Sequence, residues 1–288
     1  MTNNSSKDIS TPLLNNTVFH DYFNNKTRLL SLCNSIVEKN YTDPQELKIN
    51  TLQGNFFSGQ KNDISCMIDN YVFIFVENHN VINPNIAIRF FGYVTQIFKN
   101  VVDIEYQGVD DSDVEFSLPS PQCCIFYYGD KSDPLVREIK LSDSFIGRSD
   151  ALELIITAYN VNHEVNQPLF ANCRYLYEYS ILIGKIKEKV NAGLNNHEAI
   201  SQAMKFCLEN NVMKDYLEKN LEEVFNMLAL QWDSDTALQV RFEEGIEFVA
   251  KNMIRKNMPF EKIQEFTELS LERINELSQS TSDSQKLD

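Results

Sequence analysis

The sequence predicts an α/β fold in which a sheet carries helices on its faces, followed by an all-helical C-terminal region. Three observations carry this. Apolar runs at residues 64–68 and 71–76 flank Asp69-Asn70, a pair that tolerates left-handed backbone, so the segment reads as a β-hairpin. Two further apolar strand patterns, at 123–128 and 154–159, follow a helical pattern at 86–101. Beyond Pro168 the apolar residues recur at spacings of three and four, the period of packed helices.

Residues 1–16 are polar and rich in Asn and Ser, so disorder is expected there. Over residues 21–39, Leu29, Leu30, Leu32, Cys33, Ile36 and Val37 recur at helical spacing. They predict one amphipathic helix that packs on the sheet and ends before Tyr41-Thr42-Asp43-Pro44. A short extended segment at 47–52 and a loop at 54–61 lead into the hairpin. Its second run, Tyr-Val-Phe-Ile-Phe-Val, is apolar on both faces and rich in β-branched and aromatic residues, as in a central strand. Residues 81–85 read as a turn in which Pro84 suits a helix start. The helix at 86–101 presents Ile86, Phe90, Tyr93, Val94, Ile97 and Phe98 on one stripe.

The acidic stretch 106–114 reads as a loop or insertion. The strand at 123–128 is closed by Tyr128-Gly129-Asp130, and the one at 154–159 ends in Asn160. Helices are then expected at 170–190, 196–210 and 215–231, with Trp232-Asp233 ending the bundle-like part. A charged helix from 236 to about 256 and a short helix after Met258-Pro259 follow. The expected organisation is a tail at 1–16, a sheet-containing core at 17–165, a helical bundle extension at 166–232, a charged helical tail at 233–278, and disorder at 279–288.

With 288 residues, 43% of them hydrophobic and 11% aromatic, the chain can bury a sizeable core as one large domain or two smaller ones. There is no apolar run near the roughly 18 residues a membrane span needs, and the N-terminus lacks the basic-then-apolar order of a signal peptide. A cytoplasmic location without membrane attachment is expected. The six cysteines, Cys33, Cys66, Cys123, Cys124, Cys173 and Cys207, include no CxxC and sit mostly in apolar runs, so they read as structural thiols. A net charge of −15 argues against a broadly basic nucleic-acid surface, but leaves room for an acidic cation site with a local basic strip.

Carboxylates stand at the ends of the hairpin: Asp63 enters it and Glu77 leaves it, followed by Asn78 and His79. Side chains on a strand alternate, so loop parity decides whether the two meet. A two-residue turn pairs Ile68 with Tyr71 and sends Asp63 and Glu77 to opposite faces. A three-residue loop brings them to one face, within reach of a shared ion. The odd loop is the expectation, with Asn70 at positive φ. The plain alternative is that charged residues commonly begin and end strands as solvated termini.

An acidic residue opening a strand, a hairpin, and a Glu closing the next strand resemble the core of the PD-(D/E)XK nucleases. More narrowly, the chain resembles the Rpn family of recombination-promoting nucleases and transposases. The blocks that carry the resemblance run in order from about residue 17 to the C-terminus. They are Asn62-Asp63-Ile64, Val76-Glu77, Asn83-Pro84-Asn85 with Arg89 and Tyr93, and Pro119-x-Pro121 with Phe126-Tyr127-Tyr128-Gly129. Leu141-Ser142-Asp143-Ser144-Phe145, Asn160-Val161-Asn162 and Leu176-x-x-Tyr179-Ser180 complete the series.

The resemblance implies a restriction-endonuclease-like mixed sheet and hydrolysis of DNA. Asp63 and Glu77 would hold Mg²⁺ (or Mn²⁺), which polarises the phosphate and lowers the pKa of an attacking water. His79 stands where the family has Lys or Gln and would orient that water, without the fixed charge and reach of Lys. The resemblance also points to Glu38 as the nearest first-helix acid, although a solvated Glu is the plainer reading.

Within those blocks, Arg89 could reach the substrate phosphate as a bidentate donor or be a surface residue of its helix. Lys99, and Lys185, Lys187 and Lys189 two apart on a later helix, are candidates for the basic strip or for a solvated face. His163 and His197 lie among Asn and Glu in no metal-ligand pattern and read as surface. The C-terminal Phe266–Ile274 stretch resembles a small helix-turn-helix-like repeat, with Glu268 where a turn Gly is usual. Its acidity points to a protein-protein or self-association element, such as a homodimer through the C-terminal helices, rather than to DNA contact. Two functions are therefore expected as alternatives: a metal-dependent DNA endonuclease, or a nuclease-fold protein of weak or absent activity that works by binding.

Overall fold

The computed structural model describes residues 17–50, 64–78, 82–105, 115–147, 151–256 and 258–284. The chain divides into two compact units, Met1–Ala229 and Leu230–Asp288. The described part of the first opens with α1 (Val18–Phe23) and α2 (Lys26–Val37). The single helix expected over 21–39 is broken at Asn24-Asn25, because Asn25 is extended and its Oδ1 accepts from the N–H groups of Thr27 and Arg28 at 3.1 and 3.2 Å. That is an N-cap, and it starts a new helix. α2 ends at Glu38 in left-handed backbone.

A 3-10 turn and β1 (Lys48–Asn50) precede the hairpin of β2 (Ile64–Ile68) and β3 (Tyr71–Asn78). The loop differs from expectation. Ile68 pairs with Tyr71 and Ile64 with Phe75, so the turn has two residues, and Asp69 rather than Asn70 takes positive φ (51°). The short carboxylate of Asp69 suits that backbone and also accepts from Tyr41 Oη at 3.1 Å.

From β3 the chain crosses over through α3 (Ile86–Glu105) to β4 (Ser120–Tyr127), continues to β5 (Val136–Lys140) and closes the sheet with β6 (Ile155–Asn160). The described sheet has six strands in the order β1-β2-β3-β4-β6-β5; β3, β4 and β6 are parallel and the outer pairings antiparallel. Pro121 is tolerated in β4 because pairing with β6 begins only at Cys123, which leaves no partner there for the missing N–H. β5, unexpected from sequence, is an exposed edge strand with no apolar run to announce it.

Alternation on β3 divides the core. Val72, Ile74 and Val76 face α3, whose Ile86, Phe90, Val94 and Ile97 cover them together with Ile125 of β4 and Ile156 of β6. Phe73 and Phe75 face the other way, toward Phe126 and Phe19, with ring centroids 5.7 Å apart for Phe75–Phe126 and for Phe19–Phe126. Burying each such ring contributes about 1.5–3 kcal/mol.

α4 (Pro168–Asn172), α5 (Arg174–Asn191), α6 (Asn196–Glu209) and α7 (Lys214–Arg255) follow. The helices up to Ala229 belong to the same compact unit as the sheet. The guanidinium of Arg28 lies over the rings of Tyr22 and Tyr216, 4.2 and 5.3 Å from their centroids, and Tyr216 Oη donates to Asp21 Oδ2 at 2.6 Å. The N-terminal helices are thus clamped to α7. The break expected at Trp232-Asp233 is absent. α7 runs through it, with Thr236 Oγ1 donating to Trp232 O at 2.8 Å, and its irregular residue is Asn220. Neither Gly nor Pro stands near Trp232 to stop the helix.

In the second unit, the end of α7, α8 (Phe260–Thr267) and α9 (Leu271–Ser284) bury Ala250, Ile263, Ile274 and Leu277 together. Glu268 takes left-handed backbone (φ 57°) between α8 and α9, the conformation a glycine would adopt most easily. Among the described residues no helix is long and apolar enough to cross a membrane. The six cysteines are free and buried, with Cys33 and Cys66 Sγ atoms 3.5 Å apart.

Candidate functional site

Glu77 sits where the apolar run of β3 ends, in register with Phe126 of the parallel strand β4. Alternation sends it to the face of Phe73 and Phe75, away from α3. There it meets α5: the fully buried Tyr179 donates its hydroxyl to Glu77 Oε1. Burial first, and the neighbouring carboxylate second, push the Tyr179 phenol well above its ordinary pKa. It therefore remains a hydrogen-bond donor. Glu77, Tyr128, Val161, Tyr179, Ser180 and Ile183 line a narrow crevice with a water-accessible volume of about 10 Å³, room for one water molecule. It lies beyond the carboxyl ends of the parallel strands, where open α/β sheets place their ligands.

The same end of the sheet carries a second constellation. Tyr128 Oη lies 2.6 Å from His163 Nδ1. Lys187 of α5 donates to Tyr128 O at 3.1 Å, and its ammonium stands 4.7 Å from the Tyr128 ring centroid. Gly184 of α5 makes this packing possible, because a Cβ there would overlap both Tyr128 Oη and His163 Nδ1. Burial raises the Tyr128 pKa, aided by Glu164, while the backbone N–H of His163 opposes the shift. Burial also lowers the His163 pKa; Lys185 and Lys131 add to that effect, while Glu164 and Glu188 work against it.

Both residues sit on loops held by buried amides. Asn160 Oδ1 accepts from the N–H groups of Gly129 and Asn162 at 3.1 and 3.0 Å, and its Nδ2 donates to Asp130 O at 2.9 Å. Asn162 Nδ2 donates to Gly129 O at 3.0 Å. Gly129 must lack a Cβ, which would come within 2.6 Å of Asp133 Oδ2. The Asn160-Val161-Asn162 and Tyr128-Gly129 blocks thus lock the two loops that present Tyr128 and His163.

The residues singled out from sequence are only partly brought together. Asp63 and His79 lie outside the described residues. The three-residue loop that would have put Asp63 on Glu77's face is replaced by a two-residue turn, so that expectation loses its premise. Arg89 is on α3, against the opposite face of the sheet, with its Nε donating to Tyr93 Oη at 2.8 Å. Of the lysine strip, Lys185 pairs with Glu188 at 2.6 Å and Lys189 lies 3.9 Å from the same residue, whereas Lys187 supports Tyr128. Glu38 caps α2 in left-handed backbone, on an open cleft with Asn34 and Tyr41.

His163 is a correction: read as surface, it is half-buried against Tyr128. Its position three residues past β6, beyond a parallel strand's carboxyl end, was the available signal. In the sequence Tyr179 stands out only as part of a block, because nothing in the spacing from Glu77 to α5 foretells their contact.

As a cation site, the crevice supplies one hard oxygen ligand, Glu77, which suits Mg²⁺ or Mn²⁺ in kind. Among the described residues no group of three or more His, Cys, Asp or Glu is arranged to hold a metal. Comparison of the chain with family models, with curated proteins and with solved structures gives no match.

Proposed function

We propose that the chain is a Mg²⁺- or Mn²⁺-dependent DNA endonuclease with a restriction-endonuclease-like core, hydrolysing phosphodiester bonds at Glu77. The observation that carries this reading is the placement of Glu77: a half-buried carboxylate at the carboxyl end of a central strand beside its parallel neighbour, oriented by a buried tyrosine at a crevice. The order of helix, hairpin, crossover helix and parallel strand supports the same core. Asp63 would be the second ligand and His79 would help orient the water. A bound Mg²⁺ would polarise the scissile phosphate and acidify the water.

The two-residue turn sets a condition. In its register, Asp63 joins Glu77 on one face only if the strand gains a residue before Ile64, as a β-bulge provides. The same observation favours a second reading, a nuclease-fold protein that binds DNA or a partner without efficient cleavage. A homodimer through the C-terminal helices would suit either, since two copies of one site cut both strands of a duplex.

Nicking of supercoiled plasmid by the full chain with Mg²⁺ or Mn²⁺ separates the two. Cleavage lost in Glu77→Ala supports the endonuclease. Binding without cleavage, or cleavage that survives Glu77→Ala, supports the second reading or removes Glu77 from the chemistry.

A further inference from the structure

Cys33 of α2 and Cys66 of β2 are 33 positions apart in sequence, yet their Sγ atoms lie 3.5 Å from one another. We propose that they form a reversible dithiol–disulfide couple, oxidised by a small-molecule disulfide of the glutathione class, that staples α2 to the sheet. The inference is independent of the hydrolytic reading and of the Glu77 crevice.

Three observations carry it. The sulfurs are already in contact, and reaching the S–S length of a disulfide takes a movement of about 1.5 Å. The two cysteines also belong to different layers. Cys66 pairs with Phe73 across the hairpin, so it points to the face of Phe73 and Phe75, and Cys33 meets it there from α2. A bond between them would therefore join helix to sheet. Finally, the pair stands apart among the six cysteines, all of them buried and free. Cys124 and Cys173 act on Cys33 through charge, whereas Cys66 also shares a hydrogen bond with it.

Burial first, and the bond to Cys66 second, hold the Cys33 thiol well above its ordinary pKa. Thiolate is scarce in the closed fold, so exchange waits on α2 lifting from β2. In that opened state one cysteine thiolate attacks a sulfur of oxidised glutathione. The S–S bond of the oxidant breaks, and one glutathione leaves with the electron pair and takes up a proton. The second cysteine thiolate then attacks the mixed disulfide at the cysteine sulfur and expels the other glutathione in the same way. The protein thiols lose two protons and two electrons, and the oxidant gains both. Closing a loop of 33 positions removes conformations from the unfolded chain, so the oxidised fold is the more stable form.

The test incubates the full chain in glutathione buffers of rising oxidised fraction, in one arm folded from the start and in the other refolded from urea in the same buffer. Free thiols are then capped with N-ethylmaleimide and the peptides mapped by mass. The expected result is one Cys33–Cys66 bond per chain in both arms, slower in the folded one, with four of the six cysteines capped. Dithiothreitol should reverse it. Oxidation should raise Tm by roughly 5–10 °C in the unmodified chain and leave that of Cys66→Ala unchanged. Because alanine in place of a buried cysteine unsettles the core, each chain is compared with itself, oxidised against reduced.

Thiols that merely pack together stay reduced, with all six capped in both arms, and that outcome overturns the couple. So would a bond joining other cysteines, a stable glutathione adduct at Cys33 or Cys66, or an oxidised chain that melts lower. A bond that forms on refolding but never in the folded chain would make it a fixed staple, and would equally overturn a reversible couple.

Discussion

The hydroxyl of Tyr179 donates to the carboxylate of Glu77 across 102 positions of sequence. It joins the helical half of the first unit to the end of its central strand, and a buried donor holds the carboxylate in one orientation. Tyr179→Phe keeps the ring packing, including the edge contact with Phe19 at 5.4 Å, and removes only this bond. The expected cost is about 1.5–3 kcal/mol, the range for a hydrogen bond to a charged group, read by urea denaturation. On the endonuclease reading, metal-dependent nicking should fall with it.

Gly184 and Gly245 are both helical and should respond oppositely to alanine. At Gly184 the new methyl meets Tyr128 and His163, so a loss of about 1–3 kcal/mol is expected. At Gly245 nothing lies within 4 Å, and the helix propensity of alanine should add about 0.5–1 kcal/mol. Paired denaturation curves followed by helical circular dichroism check both signs.

Acid should weaken the first unit through His163. Its folded pKa lies below the unfolded value of 6.5, so the unfolded chain binds the proton more readily. The stability present above 6.5 is lost as pH falls from there through the folded pKa, with no further loss below it. His163→Gln should flatten that part of the stability profile, leaving the carboxylate-driven loss at lower pH.

Asn160→Ala should unfasten the loop that presents Tyr128. The substitution leaves the N–H groups of Gly129 and Asn162 without their shared acceptor, a cost of about 1–3 kcal/mol. Amide exchange should rise at those two positions first.

The fold was legible where burial writes a pattern. The hairpin strands, the helix at 86–101 and the two parallel strands carry apolar runs or stripes, because each is covered on at least one face. β5 was not legible, since an exposed edge strand needs no apolar alternation. The break at Asn25 and the continuity of α7 through Trp232 turned on one capping side chain and on the absence of a helix breaker, signals weaker than periodicity. At the site, Glu77 was legible as the charge closing an apolar strand. Whether Asp63 shares its face depended on a single residue of loop length, and the two-residue turn removes the premise of that expectation. Tyr179 and His163 were hidden because their contacts join distant segments.

The shared cation is the central claim, and calorimetric titration of the full chain with Mn²⁺ tests it most directly, alongside Asp63→Ala and Glu77→Ala. Binding by the unmodified chain that weakens at least about 10-fold in each variant is the expected result. Binding that falls in Glu77→Ala but is untouched in Asp63→Ala, or no binding at all, would contradict a site held by both carboxylates.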